Sequence, residues 1–326
     1  MKFSTIGTSW ITESFIAAAK QSGAAELHSV YSRRDENAKA FAEKNGASKW
    51  FSNLDEMLQD DGVDFIYVAS PNILHYEHMM ACIENKKHVF CEKPMVLNET
   101  QWNNAREAAI ANGVYIFEGF RHLYSPNYLR LKESLSHVGQ VRSVMLQYVQ
   151  YSSKYDAYKD GKAPNVFSKE FAGGALMDLG VYPLSMAIDL FGEPEDINYF
   201  PVLLENGTDG SGTLVLNYQS FIVTILCSKV AQGTIPSEIH GEDGALRMDH
   251  IAPIDALSFY DRKAKETKEL AEKQEPLDMI YELEAFVKMV KEQNEQTYSN
   301  ALERSRHVAK WTAKARKQHH IEFPGE

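Results

Sequence analysis

Lys2-Phe3-Ser4-Thr5-Ile6-Gly7-Thr8-Ser9-Trp10-Ile11-Thr12 begins as a strand and ends as a helix, with a glycine where the two meet. The apolar residues of 2–6 sit in a short run, and those of 11–22 recur at helical spacing. The same alternation continues outward from this unit. Residues 26–32 read as a strand and 35–45 as a helix. Strands at 64–70 and 87–92 bracket a helix at 75–84, and a helix at 99–112 leads to a strand at 114–118. Strands separated by helices in this way predict a parallel sheet covered on both faces. Right-handed crossovers make it doubly wound.

After about residue 120 the pattern changes. A helix over 127–136 stops at Gly139, and a long strand covers 140–150. Residues 153–166 are polar and read as a loop, after which Gly173-Gly174 opens a helix over 175–190. Between 196 and 262 several β-rich runs follow one another, with turns such as Asn206-Gly207 and Asp243-Gly244. Helices at 277–293 and 301–317 close the chain. Strands in series without intervening helices predict a mostly antiparallel sheet. The fold class expected is therefore α/β, a doubly wound domain over 1–120 and an α+β domain with a large sheet over 121–326.

The chain has 326 residues, 44% hydrophobic and 24% charged, which excludes wholesale disorder. Asp and Glu outnumber Lys and Arg by 45 to 34, a net charge of −11. An acidic chain with no basic stripe makes a poor partner for nucleic acid. No uninterrupted run of about 18 apolar residues is evident, so no membrane span is expected. The first residues pass straight into a strand pattern rather than a signal peptide. Cys82, Cys91 and Cys227 are odd in number and lack metal-ligand spacing, so no metal is expected and the chain reads as a reduced, cytoplasmic protein.

The turn Gly7-Thr8-Ser9-Trp10-Ile11 occupies the place of a G-x-G-x-x-G phosphate turn, with only the first glycine kept. Glycines there let backbone amides approach a pyrophosphate at a helix N-terminus. An ordinary turn capped by Ser9 fits the same letters. About 20 residues on, where NAD binders carry an acid for the ribose hydroxyls, the chain reads Ser32-Arg33-Arg34. No carboxylate is present to repel a 2′-phosphate, and arginine suits one. NADP is therefore favoured, with NAD possible. Ligands in open α/β sheets bind beyond the carboxyl ends of strands. Two such ends stand out, Ser70-Pro71-Asn72 with His75 behind it, and Glu92-Lys93-Pro94. A residue before proline is held extended, which sets Lys93 at its strand's end.

Glu92-Lys93-Pro94, preceded by Ala69-Ser70-Pro71-Asn72 and His75, closely resembles the Gfo/Idh/MocA family of NAD(P)-dependent oxidoreductases. The run Gly173-Gly174-Ala175-Leu176-Met177-Asp178-Leu179-Gly180-Val181-Tyr182-Pro183 resembles that family's second signature, and the likeness covers nearly the whole chain. Tyr182 stands where many dehydrogenase members carry histidine and the dihydrodiol dehydrogenase and glucose–fructose oxidoreductase branch carries tyrosine. The resemblance implies a Rossmann domain, a C-terminal domain with an open-faced sheet, and dimers or higher homo-oligomers formed through that sheet. It places Lys93 beside the nicotinamide and carries the catalytic roles to Lys93, Asp178 and Tyr182. The segment Glu118-Gly119-Phe120-Arg121-His122-Leu123-Tyr124-Ser125-Pro126 resembles a further family segment, although Leu123 stands where arginine is common. Arg121 joins the cofactor candidates on that ground.

The implied substrate is a small sugar, polyol, or related diol or carbonyl, with reduction the expected direction. Asp178 and Tyr182, four apart, share one face of an α-helix. Lys93 and Tyr182 then handle the proton while Asp178 accepts from substrate hydroxyls or orients Lys93. Tyr148, Tyr151, Tyr155 and Tyr158 either border the substrate crevice or form an ordinary tyrosine-lined face. Two alternatives stand beside the oxidoreductase: an NAD-dependent glycosidase of the same family, and a non-catalytic nucleotide-binding sensor or co-regulator. Retention of Lys93, Asp178 and Tyr182 favours an enzyme.

Overall fold

In a computed structural model describing residues 1–326, six strands form the first sheet: β1 (Lys2–Ile6), β2 (Glu26–Tyr31), β3 (Lys49–Phe51), β4 (Phe65–Val68), β5 (His88–Glu92) and β6 (Ile116–Gly119). Their spatial order is β3-β2-β1-β4-β5-β6, and every pairing is parallel. Helices α1 (Trp10–Ser22), α2 (Asp35–Asn45), α3 (Leu54–Leu58), α4 (His75–Glu84) and α5 (Glu99–Asn112) connect them. The strand order reverses between β1 and β4, which opens a crevice at their carboxyl ends. Helices α1, α2 and α5 each stop at a glycine in the left-handed region, Gly23, Gly46 and Gly113.

β3 and α3 have no counterpart in the sequence reading. β3 is a three-residue edge strand, too short for a period-2 pattern to register. α3 is a single turn and a half held by Asn53, whose side chain accepts from the Asp55 and Glu56 amides.

The second sheet is built from β7 (Val141–Val149), which follows α6 (Pro126–Ser134), and from seven later strands. Between them come α7 (Tyr155–Lys159), a π-helical turn (Leu176–Gly180) and α8 (Val181–Phe191). The strands are β8 (Asp196–Leu203), β9 (Asp209–Tyr218), β10 (Phe221–Ser228), β11 (Ser237–Gly241), β12 (Gly244–Met248), β13 (Leu257–Asp261) and β14 (Glu266–Glu269). Their order is β14-β13-β12-β11-β7-β10-β9-β8, antiparallel except where β7 lies parallel to β10.

Every residue of Val181-Tyr182-Pro183-Leu184-Ser185-Met186-Ala187-Ile188 in α8 is buried, as a helix apolar on all sides must be. By length and composition the stretch Lys169–Phe191 could cross a membrane, although it holds no unbroken run of 18 apolar residues. Its apolar residues are interrupted by glycines and by Asp178. In the fold 83% of its most apolar window is buried, so it is a core element.

The chain ends with α9 (Met279–Glu292) and α10 (Glu295–Lys317). Residues Met1–Gly119 and Glu275–Arg306 form one compact unit, and Phe120–Gln274 with His307–Glu326 form the other. The sequence reading kept all of 121–326 together; α9 departs from it for a physical reason. Phe286 packs on Phe65, Phe90 and Phe117, with ring centroids 5.1 to 5.5 Å apart, and so completes the core of the first sheet. Phe15 stacks on Tyr67 at 3.7 Å in the same core.

Candidate active site

In the first unit the crevice is set by Gly7. Its φ of +121° lies in the region that favours glycine, and a Cβ there would stand 2.5 Å from the Ala69 carbonyl oxygen. Only glycine lets the ends of β1 and β4 approach this closely. Beyond them lies a cavity of about 260 Å³, whose wall includes Gly7, Thr8, Ser9, Ser32, Arg33 and Ser70, with Pro71 beside them. An adjoining cleft of about 530 Å³ is lined by Thr8, Ser32, Arg33, Arg34 and Asn37. Neither wall contains a carboxylate.

Ser9 is the N-cap of α1, but its side chain makes no capping hydrogen bond. The first-turn amides of α1 therefore lack a side-chain acceptor, which suits the turn to an anion. The chemistry of this wall fits a dinucleotide with a 2′-phosphate: a glycine turn, hydroxyls, helix amides and arginine. Trp10 and Ile11 begin α1 and do not line the cavity; Trp10 is 72% exposed. His78, which the sequence reading did not single out, does line it, and its ring bonds the Ser70 hydroxyl at 2.9 Å. Burial, and then the Arg33 charge, push its pKa below the ordinary histidine value.

Asn72 starts a short 3₁₀ turn ahead of α4. His75 is buried rather than in the cavity wall. Its Nδ1 lies 2.8 Å from the Pro94 carbonyl oxygen and its Nε2 lies 2.7 Å from that of Ser70. Burial lowers its pKa to about 4, so the ring is neutral at physiological pH and donates to one of the two. The ring thus lies between the loop after β4 and the loop after β5. Glu92 turns inward as well, and its carboxylate accepts from the Tyr67 hydroxyl at 2.6 Å.

Lys93 is half-buried and immediately follows β5, in a cis peptide bond with Pro94. A second tie comes from Glu118 at the end of β6, whose carboxylate accepts from the Met95 amide at 2.8 Å. Glu118 is buried, and burial raises its pKa to about 7 against the pull of that bond and of Ser305. Glu118 therefore holds Met95, two residues after Lys93, and the His75 ring lies against the Pro94 carbonyl between them.

The second unit carries Asp178 and Tyr182. The chain enters them through Gly174, at φ +128°, where a Cβ would collide with the Asp209 carboxylate. Asp209 is buried and accepts from the Leu176 amide at 2.7 Å and from the Tyr199 hydroxyl at 2.6 Å. Burial raises its pKa to about 6. Asp209 is thus the acceptor at the entrance of the helix, a residue with no signal in the local sequence.

The α-helix expected from 175 opens instead as the π turn Leu176–Gly180, so the α-helical face argument for Asp178 and Tyr182 does not apply as made. Asp178 lies within that turn and pairs with Lys229, the residue after β10, which the sequence reading missed. Tyr182 is the second residue of α8 and is mostly buried. Its ring sits between His122, with centroids 5.0 Å apart, and Tyr148, at 5.3 Å. His122 Nε2 also donates to the Tyr182 carbonyl oxygen at 3.0 Å.

Arg121 is half-buried in a 3₁₀ turn of this unit, whereas every other cofactor candidate belongs to the first. Leu123, in the position where arginine was noted as common, is buried in the core. Tyr151, Tyr155 and Tyr158 gather beside Phe167, with ring centroids 5.4 to 6.1 Å apart along the cluster.

Residues 1–120 match the family model described as an oxidoreductase family with an NAD-binding Rossmann fold, and residues 128–247 match that of the GFO/IDH/MocA C-terminal domain. The chain is 38% identical over 326 residues to scyllo-inositol 2-dehydrogenase (NADP(+)) IolU of Bacillus subtilis (strain 168), covering 100% of this chain and 99% of that one. It is 37% identical to the uncharacterized oxidoreductase YgjR of Escherichia coli (strain K12), over 100% of this chain and 98% of that one. Among solved structures, KijD10, a 3-ketoreductase from Actinomadura kijaniata in complex with NADP and TDP-benzene, superposes with a TM-score of 0.84. That match covers 97% of both chains at 22% identity and shows a shared fold.

Proposed function

The chain belongs to the Gfo/Idh/MocA oxidoreductase family, and from that premise we propose an NADP-dependent enzyme that interconverts CH–OH and carbonyl groups on a cyclic polyol or sugar. The observation that carries the cofactor choice is the crevice wall of the first unit, with Ser32, Arg33 and Arg34 present and no carboxylate. The polyol class rests on the full-length likeness to an enzyme named for scyllo-inositol and NADP(+). Gly7, Thr8, Ser9, Ser32, Arg33, Arg34, Ser70 and Pro71 are assigned to the cofactor. His75 and Glu92 are assigned to the support of its loops, and Arg121 stays among the cofactor candidates on the family resemblance alone.

The bound dinucleotide supplies or accepts the hydride at C4 of its nicotinamide ring. Lys93, Asp178 and Tyr182 do the rest. Tyr182 and Lys93 handle the proton of the reacting oxygen, and Asp178 accepts from a substrate hydroxyl. The exposed apolar residues Phe200, Val202, Ile222 and Tyr260 on the second sheet support a homo-oligomer formed through that face, which sedimentation of the purified chain reads directly. The three buried, unpaired cysteines support a cytoplasmic setting, which cell fractionation tests.

The test follows absorbance at 340 nm with NADP+ and NAD+ against scyllo-inositol, other inositols, aldoses and trans-diols, and with NADPH against the ketones. Lys93→Ala and Tyr182→Phe are expected to lower kcat by about 100-fold or more while NADPH binding persists. Arg33→Ala is expected to reduce the preference for NADP+ over NAD+ by about tenfold or more. Turnover near wild type in both Lys93→Ala and Tyr182→Phe would refute the catalytic assignment.

A further inference from the structure

Lys229 stands immediately after β10, a central strand of the second sheet, and its side chain is only 3% exposed. A buried ammonium is costly unless a partner compensates its lost hydration. The compensation here is Asp178, whose carboxylate takes the lysine Nζ on Oδ2, while the Phe167 ring lies 5.3 Å from the same nitrogen. The burial is unequal. Asp178 keeps 30% of its side chain exposed, so the cation lies inside the fold and the carboxylate at its surface.

The local backbone is built to hold this arrangement. The Lys229 amide donates to Gly210 and its carbonyl oxygen accepts from Ser152, each at 2.9 Å, so the residue is fixed from both neighbouring segments. On the other side, Asp178 sits in the π turn, which packs on β10. The packing there is tight: a Cβ at Gly180 would stand 3.1 Å from Cys227 Sγ, two residues before Lys229. The tyrosines Tyr155 and Tyr158 pack on the ring of Phe167, the same ring the lysine faces.

We propose that Lys229 is a positioning residue of the active site, holding the Asp178 carboxylate in one rotamer so that it can accept a hydroxyl of a polyol or sugar substrate. The inference rests on the reading of Asp178 as a substrate-binding residue. It adds a second lysine to the machinery, one that acts through Asp178 and touches neither the cofactor nor the reacting carbon. A carboxylate that orients a hydroxyl remote from the reacting carbon contributes to substrate and transition state alike, so its loss falls on KM.

The experiment compares Lys229→Met, Lys229→Arg, Asp178→Asn and the Lys229→Met/Asp178→Asn double variant. The substrate is the polyol of the panel above that the wild type oxidises fastest with NADP+. Circular dichroism and NADPH affinity check folding, and Lys229→Gln replaces the methionine variant if that one fails to fold. Lys229→Met is expected to raise KM by about 10- to 100-fold with kcat within about fivefold, the range lost with a hydrogen bond to a charged group. Lys229→Arg is expected to restore KM to within about fivefold. In the Asp178→Asn background, Lys229→Met is expected to add less than about threefold.

A folded Lys229→Met with wild-type KM, beside an impaired Asp178→Asn, overturns the inference and leaves the functional reading standing. Effects of the two substitutions that multiply in full also overturn it, because Lys229 would then act independently of Asp178. Wild-type kinetics in both single variants, or a wild type that turns over nothing in the panel, overturns the reading of Asp178 and this inference with it.

Discussion

Glu118→Gln is the substitution with the most fully determined outcome. In the folded chain the Glu118 carboxyl is buried and titrates near pH 7, against 4.5 for an ordinary glutamate. Between those values the folded state holds a proton that the unfolded state has released. Its contribution to stability is therefore complete below about pH 4.5 and is lost as pH rises through 7. The rise corresponds to about 3 kcal/mol over the whole window. Glutamine cannot ionise, and its amide oxygen can still accept from the Met95 amide, which now bonds the carboxylate at 2.8 Å. Urea unfolding of wild type and variant at pH 5, 6, 7 and 8 gives a difference in which other titrating groups, Asp209 among them, cancel. At pH 5 the two proteins are expected to lie within about 1 kcal/mol of one another, the worth of one neutral hydrogen bond. By pH 8 the variant is expected to gain about 2–3 kcal/mol on the wild type. A difference that stays constant within about 0.5 kcal/mol from pH 5 to 8, well short of the span linkage requires, would refute the reasoning.

Two further substitutions test the geometry on either unit. Gly7→Ala introduces a Cβ 2.5 Å from the Ala69 carbonyl oxygen and forces alanine to φ +121°. Strain of about 1–3 kcal/mol at the turn should weaken NADPH binding about tenfold or more in a fluorescence titration, and unchanged affinity would remove the turn from the cofactor site. Asp209→Ala leaves the buried Leu176 amide and Tyr199 hydroxyl without their acceptor. A loss of about 2–4 kcal/mol is expected, read as a lower Tm, together with a fall in kcat/KM because the affected turn carries Asp178. A Tm equal to wild type would mean that Asp209 does not hold the helix entrance.

The doubly wound sheet was legible because its signals are local. A glycine at the β1–α1 turn, apolar runs of strand length and helical periodicity all lie within windows of about 10 residues. The failures were of two kinds. β3, α3 and α7, the last inside the stretch 153–166 read as a loop, are too short for periodicity to accumulate. The placement of α9 depends on a hydrophobic contact made across more than 150 residues, where Phe286 meets Phe117 and Phe90. An amphipathic pattern states that a helix buries one face and says nothing about which core receives it.

The candidate site divides along the same line. Lys93, Asp178 and Tyr182 stand in motifs whose letters are contiguous, so resemblance could nominate them. The residues that hold them stand far off in sequence. Lys229 lies 51 positions from Asp178, Asp209 33 from Leu176, and His122 60 from Tyr182. Lys229 follows β10 and Asp209 opens β9, runs with no motif, whereas His122 lies in the Glu118–Pro126 segment; in each case only the fold turns the residue into a partner. The π turn was hidden for a related reason. Asp178 and Tyr182 carry the four-residue spacing of an α-helix, and the π turn that replaces it meets partners distant in sequence, Asp209 at Leu176 and Lys229 at Asp178. Reading such a site from sequence therefore recovers the groups that face the chemistry before the groups that set their charge and orientation. The second set is where a substitution outside every motif should alter KM, as Lys229→Met is expected to do.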